Sequence, residues 1–229
     1  MMKYPKKLEE GAVIGIVAPS SPVSEERVAQ CRAVLEDLGY GVKMADNLAA
    51  FKGGYMAGDE ELRGSWINNM FADEEVDAIF CLRGGDGANR ILEFIDTDVV
   101  REHKKIFVGY SDITSLHLLF NQNCGLVTFH GPMVSSNMVD QFDEETKAAF
   151  FAALTAEREY AYRAPEGFEI GVAREGKAKG EMTGGNLTVM CASVGTPWEM
   201  ETDGKMSKRS ENTSAIWTDI STSCAMPES

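Results

Sequence analysis

The sequence predicts an α/β protein with an open, mostly parallel sheet and flanking helices, followed by the beginning of a smaller β-rich second domain. Short apolar runs alternate with segments of helical spacing over residues 1–160, as in a chain that passes repeatedly from strand to helix. The runs are apolar throughout and do not alternate with polar residues, which is typical of parallel strands buried on both faces. After residue 160 this pattern stops.

Five apolar runs are predicted to form the strands of this sheet. They are Val13–Ala18, Gly41–Met44, Ala78–Leu82, Ile106–Gly109 and Leu126–Phe129. The first helix is predicted over Ser24–Leu38, because Ser24 can cap it and Gly39 can end it. Further helices are predicted at Asp59–Phe71, Gly87–Phe94, Asp112–Gln122 and Asp143–Leu154. In such a sheet the functional loops gather at the carboxyl ends of the strands.

The chain is predicted to have four parts. Residues 1–160 form the N-terminal α/β domain, and residues 161–180, rich in Gly, Glu and Lys, form a linker. Residues 181–205 start a second domain that is truncated in this chain. Residues 206–229 are rich in Ser and Thr and keep neither helical nor strand spacing, so we expect a disordered tail.

The composition limits the partners and the compartment. The formal net charge is −14, and a charge of this sign repels the phosphate backbone of nucleic acids. The five cysteines are scattered without a close pair, which favours a reducing compartment over a disulfide framework or a zinc site. No apolar run approaches a membrane span, and Ala12–Ala18 is too short for a signal peptide. We therefore expect a cytoplasmic protein without nucleic-acid or membrane partners.

The strongest local signal surrounds Ser111. The segment Ile106–Thr114 reads as a buried strand that passes through Gly-Tyr-Ser into a helix. A serine at such a tight turn projects its hydroxyl away from the sheet, and the helix N-terminus favours a developing negative charge. The G-x-S-x-G pattern is only half met, because Ile113 replaces the second glycine. The motif alone therefore also fits a serine that merely caps the helix.

A second signal is the glycine-rich turn that contains Gly84, Gly85 and Gly87, again where a predicted strand ends. Its backbone N–H groups can approach a phosphate or an oxyanion closely. It lacks the Gly-Lys-Ser/Thr of a Walker loop, and its spacing fails the dinucleotide-binding fingerprint. A plain tight turn is the alternative.

A serine hydrolase also needs a base, and the sequence offers three histidines. His103 precedes a strand, on the side of the sheet away from Ser111. His117 lies six residues after Ser111 on the same predicted helix, about 240° round its axis, so it faces away. His130 follows the fifth strand and can reach the same edge of the sheet, although a structural role fits it better.

Taken together and in order, several motifs of this chain resemble the LD-carboxypeptidase family, the serine peptidases that trim muropeptides or confer microcin immunity. The resemblance covers about residues 10 to 205. The motifs are Ala18-Pro19-Ser20-Ser21, Arg83-Gly84-Gly85-Asp86-Gly87, Gly109-Tyr110-Ser111-Asp112-Ile113-Thr114, Phe129-His130-Gly131-Pro132, Gly184-Gly185-Asn186-Leu187 and Gly195-Thr196-Pro197.

The resemblance implies that Ser111 is the nucleophile and that the backbone N–H groups of Gly85 and Asp112 form the oxyanion hole. It implies substrate contacts at Gly84 and Asp86. The implied reaction is hydrolysis of an amide next to a terminal carboxylate, as in release of D-alanine from a muropeptide tetrapeptide or cleavage of a microcin-type peptide-nucleotide. The implied partner is a small peptide, with no metal or cofactor, and a homodimer is the family's assembly.

In that family the base is a histidine oriented by a glutamate, and both come from the second domain. One shifted reading frame across Met206–Glu228, with free choice of synonymous codons, gives a stretch that resembles the missing segment. We therefore expect a frameshift near Met206 and a hydrolase by descent that is inactive as this chain. A catalytically silent binding module for peptidoglycan peptides or acyl-nucleotides is the alternative. A glutamine-amidotransferase-like domain would need a cysteine where Ser111 stands.

Overall fold

Five parallel strands form the centre of the structure, a computed structural model that describes residues 2–156, 180–203, 205–210 and 217–218. The strands are β1 (Val13–Val17), β2 (Gly41–Met44), β3 (Ala78–Cys81), β4 (Ile106–Gly109) and β5 (Phe129–His130). Their order in the sheet is β2-β1-β3-β4-β5, and every neighbouring pair is parallel. The predicted α/β fold class is thereby confirmed.

The helices are α1 (Glu25–Asp37), α2 (Glu60–Ala72), α3 (Thr97–Glu102), α4 (Thr114–Cys124) and α5 (Glu144–Thr155). Three of them begin directly after the residue at which the sequence predicts a helix to start, and that residue is the N-cap. The side chains of Ser24, Asp59 and Asp143 each accept a hydrogen bond from the backbone N–H three residues later, which satisfies an otherwise unpaired donor of the first turn.

Three predicted elements differ from the structure. Gly87–Phe94 is a 3-10 helix over Ala88–Phe94 rather than an α-helix, and the helix predicted from Asp112 starts as a 3-10 turn before α4. The run Leu126–Phe129 contributes only its last residue to β5. The reason is that Val127 N–H and the Gly125 carbonyl pair with the backbone of Lys3 instead of with β4. The helix α3 and a π-helix at Val134–Met138 were not predicted.

Both faces of the sheet are packed with aromatic side chains. Phe107 on β4 contacts Phe120 of α4, with ring centroids 4.8 Å apart. On the opposite face, Phe80 of β3 contacts Phe150 of α5, with ring centroids 5.6 Å apart. This two-sided burial explains why the strand sequences are apolar throughout.

The chain after residue 180 adds β6 (Glu181–Asn186), α6 (Leu187–Ala192) and β7 (Lys205–Ser210), with β6 and β7 forming a two-stranded parallel sheet. A last strand, β8 (Trp217–Thr218), runs antiparallel to β5. The predicted linker 161–180 lies outside the described residues except for Gly180. Within the segment 206–229, where disorder was predicted, the structure describes β7 and β8, and the rest lies outside the described residues. None of the described helices has the length and apolar character needed to cross a membrane.

Candidate active site

Ser111 lies at a sharp turn between β4 and the helical segment that leads into α4. Its φ is +63°, the only positive φ of a non-glycine residue in the described ranges. The turn is tight because Gly109 lacks a side chain, since a Cβ there would lie 2.7 Å from the Ile113 side chain. The serine itself is partly exposed. The turn therefore presents the Ser111 hydroxyl at the carboxyl edge of the sheet.

The glycine-rich loop after β3 lies beside this hydroxyl. A Cβ built on Gly84 would be 3.3 Å from Ser111 Oγ, so the buried Gly84 backbone is in close contact with the serine. Gly85 has a φ of +151°, and a Cβ there would overlap the Ser21 hydroxyl. Only glycine fits a position with this φ and this contact. The structure thus brings together Ser111 and the two glycines that the sequence predicts for the site.

Asp112 is buried, and its carboxylate binds both neighbouring loops. Asp112 Oδ2 accepts a hydrogen bond from the Ser20 hydroxyl at 2.5 Å and another from the Ala88 backbone N–H at 2.8 Å. The sequence predicts a role only for the backbone N–H of this residue. The side chain has a further one, because it attaches the loop after β1 and the loop after β3 to the nucleophile turn.

Asp86 is exposed at the mouth of a cleft of about 250 Å³. The cleft lies between the glycine-rich loop, α4 and α6. Asp112 and Ser115 line it on one side, and Thr188 and Trp198 line it on the other.

The three histidines occupy different surroundings. His117 is buried, with Nε2 donating to the Gly109 carbonyl and Nδ1 bonded to the Thr128 hydroxyl, both at 2.8 Å. Burial lowers the pKa of His117 to about 4, against the smaller effect of the Gly109 hydrogen bond. Both ring nitrogens of His117 are therefore bonded to groups other than the Ser111 hydroxyl. His103 ends α3 at the opposite edge of the sheet, and His130 is buried beside the Tyr110 ring, with centroids 6.0 Å apart.

Sequence reasoning missed two polar residues near the site, Ser20 and Arg63, which are both fully buried. Ser20 was quoted only as part of a motif, and Arg63 on α2 was not singled out. A buried arginine within a helix gives no local signal, because its partners are 24 and 44 residues away in sequence.

Comparisons with known proteins agree with this geometry. Residues 14–131 match the LD-carboxypeptidase N-terminal domain. The probable murein peptide carboxypeptidase of Bacillus subtilis is 42% identical over 206 residues, covering 88% of this chain and 63% of that protein. The chain spans about three fifths of the length of the curated relatives that it matches.

Two solved structures share the fold. The muramoyltetrapeptide carboxypeptidase of Oxalobacter formigenes has a TM-score of 0.70 and 26% identity, covering 83% of this chain and 62% of that one. The MccF-like protein of Bacillus anthracis has a TM-score of 0.78 and 27% identity, covering 90% of this chain and 69% of that one. Since the family match spans the sheet, the nucleophile turn and the glycine-rich loop, this chain belongs to the LD-carboxypeptidase family.

Proposed function

We propose that this chain carries the nucleophile of an LD-carboxypeptidase-like serine hydrolase, and that this nucleophile is Ser111. The observation that carries the proposal is the φ of +63° at Ser111, beside the Gly84–Gly85 loop. Such a conformation costs a non-glycine residue about 1–3 kcal/mol, and strain of this kind concentrates at active sites. A serine that merely caps a helix has extended backbone and accepts a hydrogen bond from the first turn, as Ser24 does.

In the proposed reaction, Ser111 Oγ attacks the carbonyl carbon of an amide next to a terminal carboxylate. The backbone N–H groups of Gly85 and Asp112 then stabilise the oxyanion, a contribution typically worth about 10²–10³ in rate for each donor. The amine leaves with a proton, and water hydrolyses the acyl-enzyme. The serine proton requires a base, and the family resemblance assigns this role to a histidine of the second domain.

We propose a small peptide as substrate, contacted by Gly84 and Asp86. A muropeptide tetrapeptide is the first candidate, supported by the names of the B. subtilis and O. formigenes relatives. A microcin-type peptide-nucleotide is the second, supported by 26% identity over 226 residues to the microcin C7 self-immunity protein MccF of Escherichia coli.

The direct test is covalent labelling of the purified chain with a fluorophosphonate, followed by peptide mass spectrometry, together with D-alanine release from a muramoyl tetrapeptide. We expect the label on Ser111 and its loss in Ser111→Ala, whereas D-alanine release should stay near background in this chain, because the family's base belongs to the second domain. The control is Ser65→Ala, because the Ser65 hydroxyl bonds only within α2. Equal labelling of Ser111→Ala would contradict the proposal.

The alternative function is a binding module without turnover. The observation that favours it is the position of His117 and His103, since the first is bonded elsewhere and the second lies at the other edge of the sheet. Loss of a triad base costs about 10⁶ in turnover. Tetrapeptide binding by calorimetry, with no fluorophosphonate label on Ser111, would select this alternative.

We also propose a cytoplasmic location, supported by Cys31, Cys81, Cys124 and Cys191, which are all free thiols. The homodimer that the family resemblance implies stays a prediction, as do the domain boundaries and the frameshift near Met206. Sequencing of the gene across that codon would decide the frameshift.

A further inference from the structure

Arg63 on α2 is fully buried, although nothing in the proposed reaction uses its charge. Its Nη1 donates to the Pro19 carbonyl at 2.6 Å and to the Gly87 carbonyl at 2.9 Å. Pro19 belongs to the loop after β1, and Gly87 to the glycine-rich loop after β3. One guanidinium therefore connects two loops at the carboxyl edge of the sheet.

The energetic cost of this arrangement is large. Moving a guanidinium out of water costs several kcal/mol unless hydrogen bonds and opposite charges compensate. Burial lowers the pKa of Arg63, while the negative charges of Glu60 and Asp112 oppose the shift. The Glu60 carboxylate is 3.8 Å away. An apolar side chain would avoid the desolvation cost, but it would remove the Arg63 donor from the Pro19 carbonyl and leave the Gly87 carbonyl only the Arg90 N–H.

A second charged group binds the adjacent residues of the same two loops. The Asp112 carboxylate accepts from Ser20, next to Pro19, and from Ala88, next to Gly87. Arg63 thus holds the loops through their carbonyls, and Asp112 holds them through their donors. Gly85 lies two residues before Gly87 in the same loop, and a Cβ built on it would overlap the Ser21 hydroxyl.

We infer that Arg63 is a positioning residue, which fixes the glycine-rich loop so that the Gly85 N–H points to the oxyanion. This inference rests on the proposed function and deepens the same site. Because the oxyanion forms only in the transition state, misplacing its donor lowers kcat and leaves KM nearly unchanged.

The primary test is hydrogen exchange by mass spectrometry on the full chain carrying Arg63→Lys. A lysine keeps the charge but cannot present the planar fork of donors. We expect the amides of residues 84–88 to exchange at least about tenfold faster than in the unchanged chain, while those of β4 keep their protection. For fluorophosphonate labelling of Ser111 we expect the rate to fall about 10²-fold, because the phosphonyl oxygen occupies the same oxyanion site.

Two further variants keep the test decisive. Ser20→Ala removes one hydrogen bond of Asp112, so it should raise exchange in the same residues even if Arg63→Lys does not fold. Arg101→Lys is the matched control, because Arg101 also donates to a backbone carbonyl, that of Asn123, but far from the site.

Unchanged exchange of residues 84–88 in both Arg63→Lys and Ser20→Ala would overturn the inference. An equal rise in the exchange rates of the loop amides and the β4 amides would also overturn it, because Arg63 would then stabilise the whole core and not the loop in particular. If the unchanged chain is not labelled at Ser111, the proposed nucleophile fails, and the exchange data still decide whether Arg63 positions the loop.

Discussion

Ser111 has a left-handed backbone, and that conformation decides which substitutions it tolerates. Serine and alanine carry the same Cβ and therefore the same strain, whereas glycine adopts this φ without it. Ser111→Ala removes the hydroxyl and keeps the backbone strain, whereas Ser111→Gly removes both.

We expect Ser111→Gly to be more stable than Ser111→Ala by about 1 kcal/mol in free energy of unfolding, although both lack the nucleophile. Urea denaturation followed by circular dichroism measures the difference. Equal stability of the two variants would show that the turn carries no backbone strain.

At the scale of residues, the sequence assigns Ser111 and Gly84 to one site but does not predict the partners of the Asp112 carboxylate. The turn was predictable because a buried strand passes directly into a helix. The carboxylate of Asp112 binds residues 92 and 24 positions away. Such pairings follow from how the loops meet in space, and no local pattern encodes them.

Among the elements, α4 makes hydrogen bonds at both of its ends to the chain after residue 180. At its first turn, the Thr114 hydroxyl accepts from the Asn186 backbone N–H at 3.0 Å. Near its end, the Gln122 amide donates to the Glu199 carbonyl at 3.1 Å and accepts from the Glu201 N–H at 2.8 Å. The helix that begins after the nucleophile turn therefore anchors β6 and the segment after α6.

Gly185→Ala should loosen this attachment, because the new Cβ would lie 2.5 Å from the Thr114 side chain. We expect the Asn186 amide to exchange at least about tenfold faster, with β1 to β4 unaffected. Gly195→Ala is the matched control, since Gly195 also has a positive φ but has no atom within 4 Å of the added Cβ. Similar exchange at Asn186 in both variants would exclude the steric explanation.

The elements themselves were largely predictable. Capping residues and apolar runs mark most of the helices and strands of the first 156 residues. The shortening of the fifth strand could not be predicted, because it depends on the pairing of Val127 with Lys3 at the distant start of the chain. A parallel strand and a loop that pairs with a remote segment have the same local sequence signal.

For the whole molecule, buried His117 makes stability depend on pH. An unfolded histidine takes up a proton near pH 6.5, whereas folded His117 does so only near pH 4. The unfolded state therefore binds more protons between these values, so stability falls as the pH falls through this window.

We expect the free energy of unfolding to be lower by roughly 2–3 kcal/mol at pH 4.5 than at pH 7.5 because of His117. The measurement is urea denaturation at both pH values. His117→Gln should lose this part of the pH dependence, and His103→Gln should keep it. A pH dependence that is the same in the chain with His117 and in His117→Gln would contradict the assignment.

The hydrogen bond between the Asn186 N–H and the Thr114 hydroxyl has a geometric consequence. Thr114 lies only three residues from Ser111, so a rotation of β6 about this contact would move any group carried beyond β6 relative to the reacting hydroxyl. An arm about 15 Å long that turns by about 4° moves its tip by about 1 Å, a displacement that can cost about 10²-fold in rate. Angular stiffness at the Thr114–Gly185 contact would thus set the precision with which distant side chains could meet Ser111.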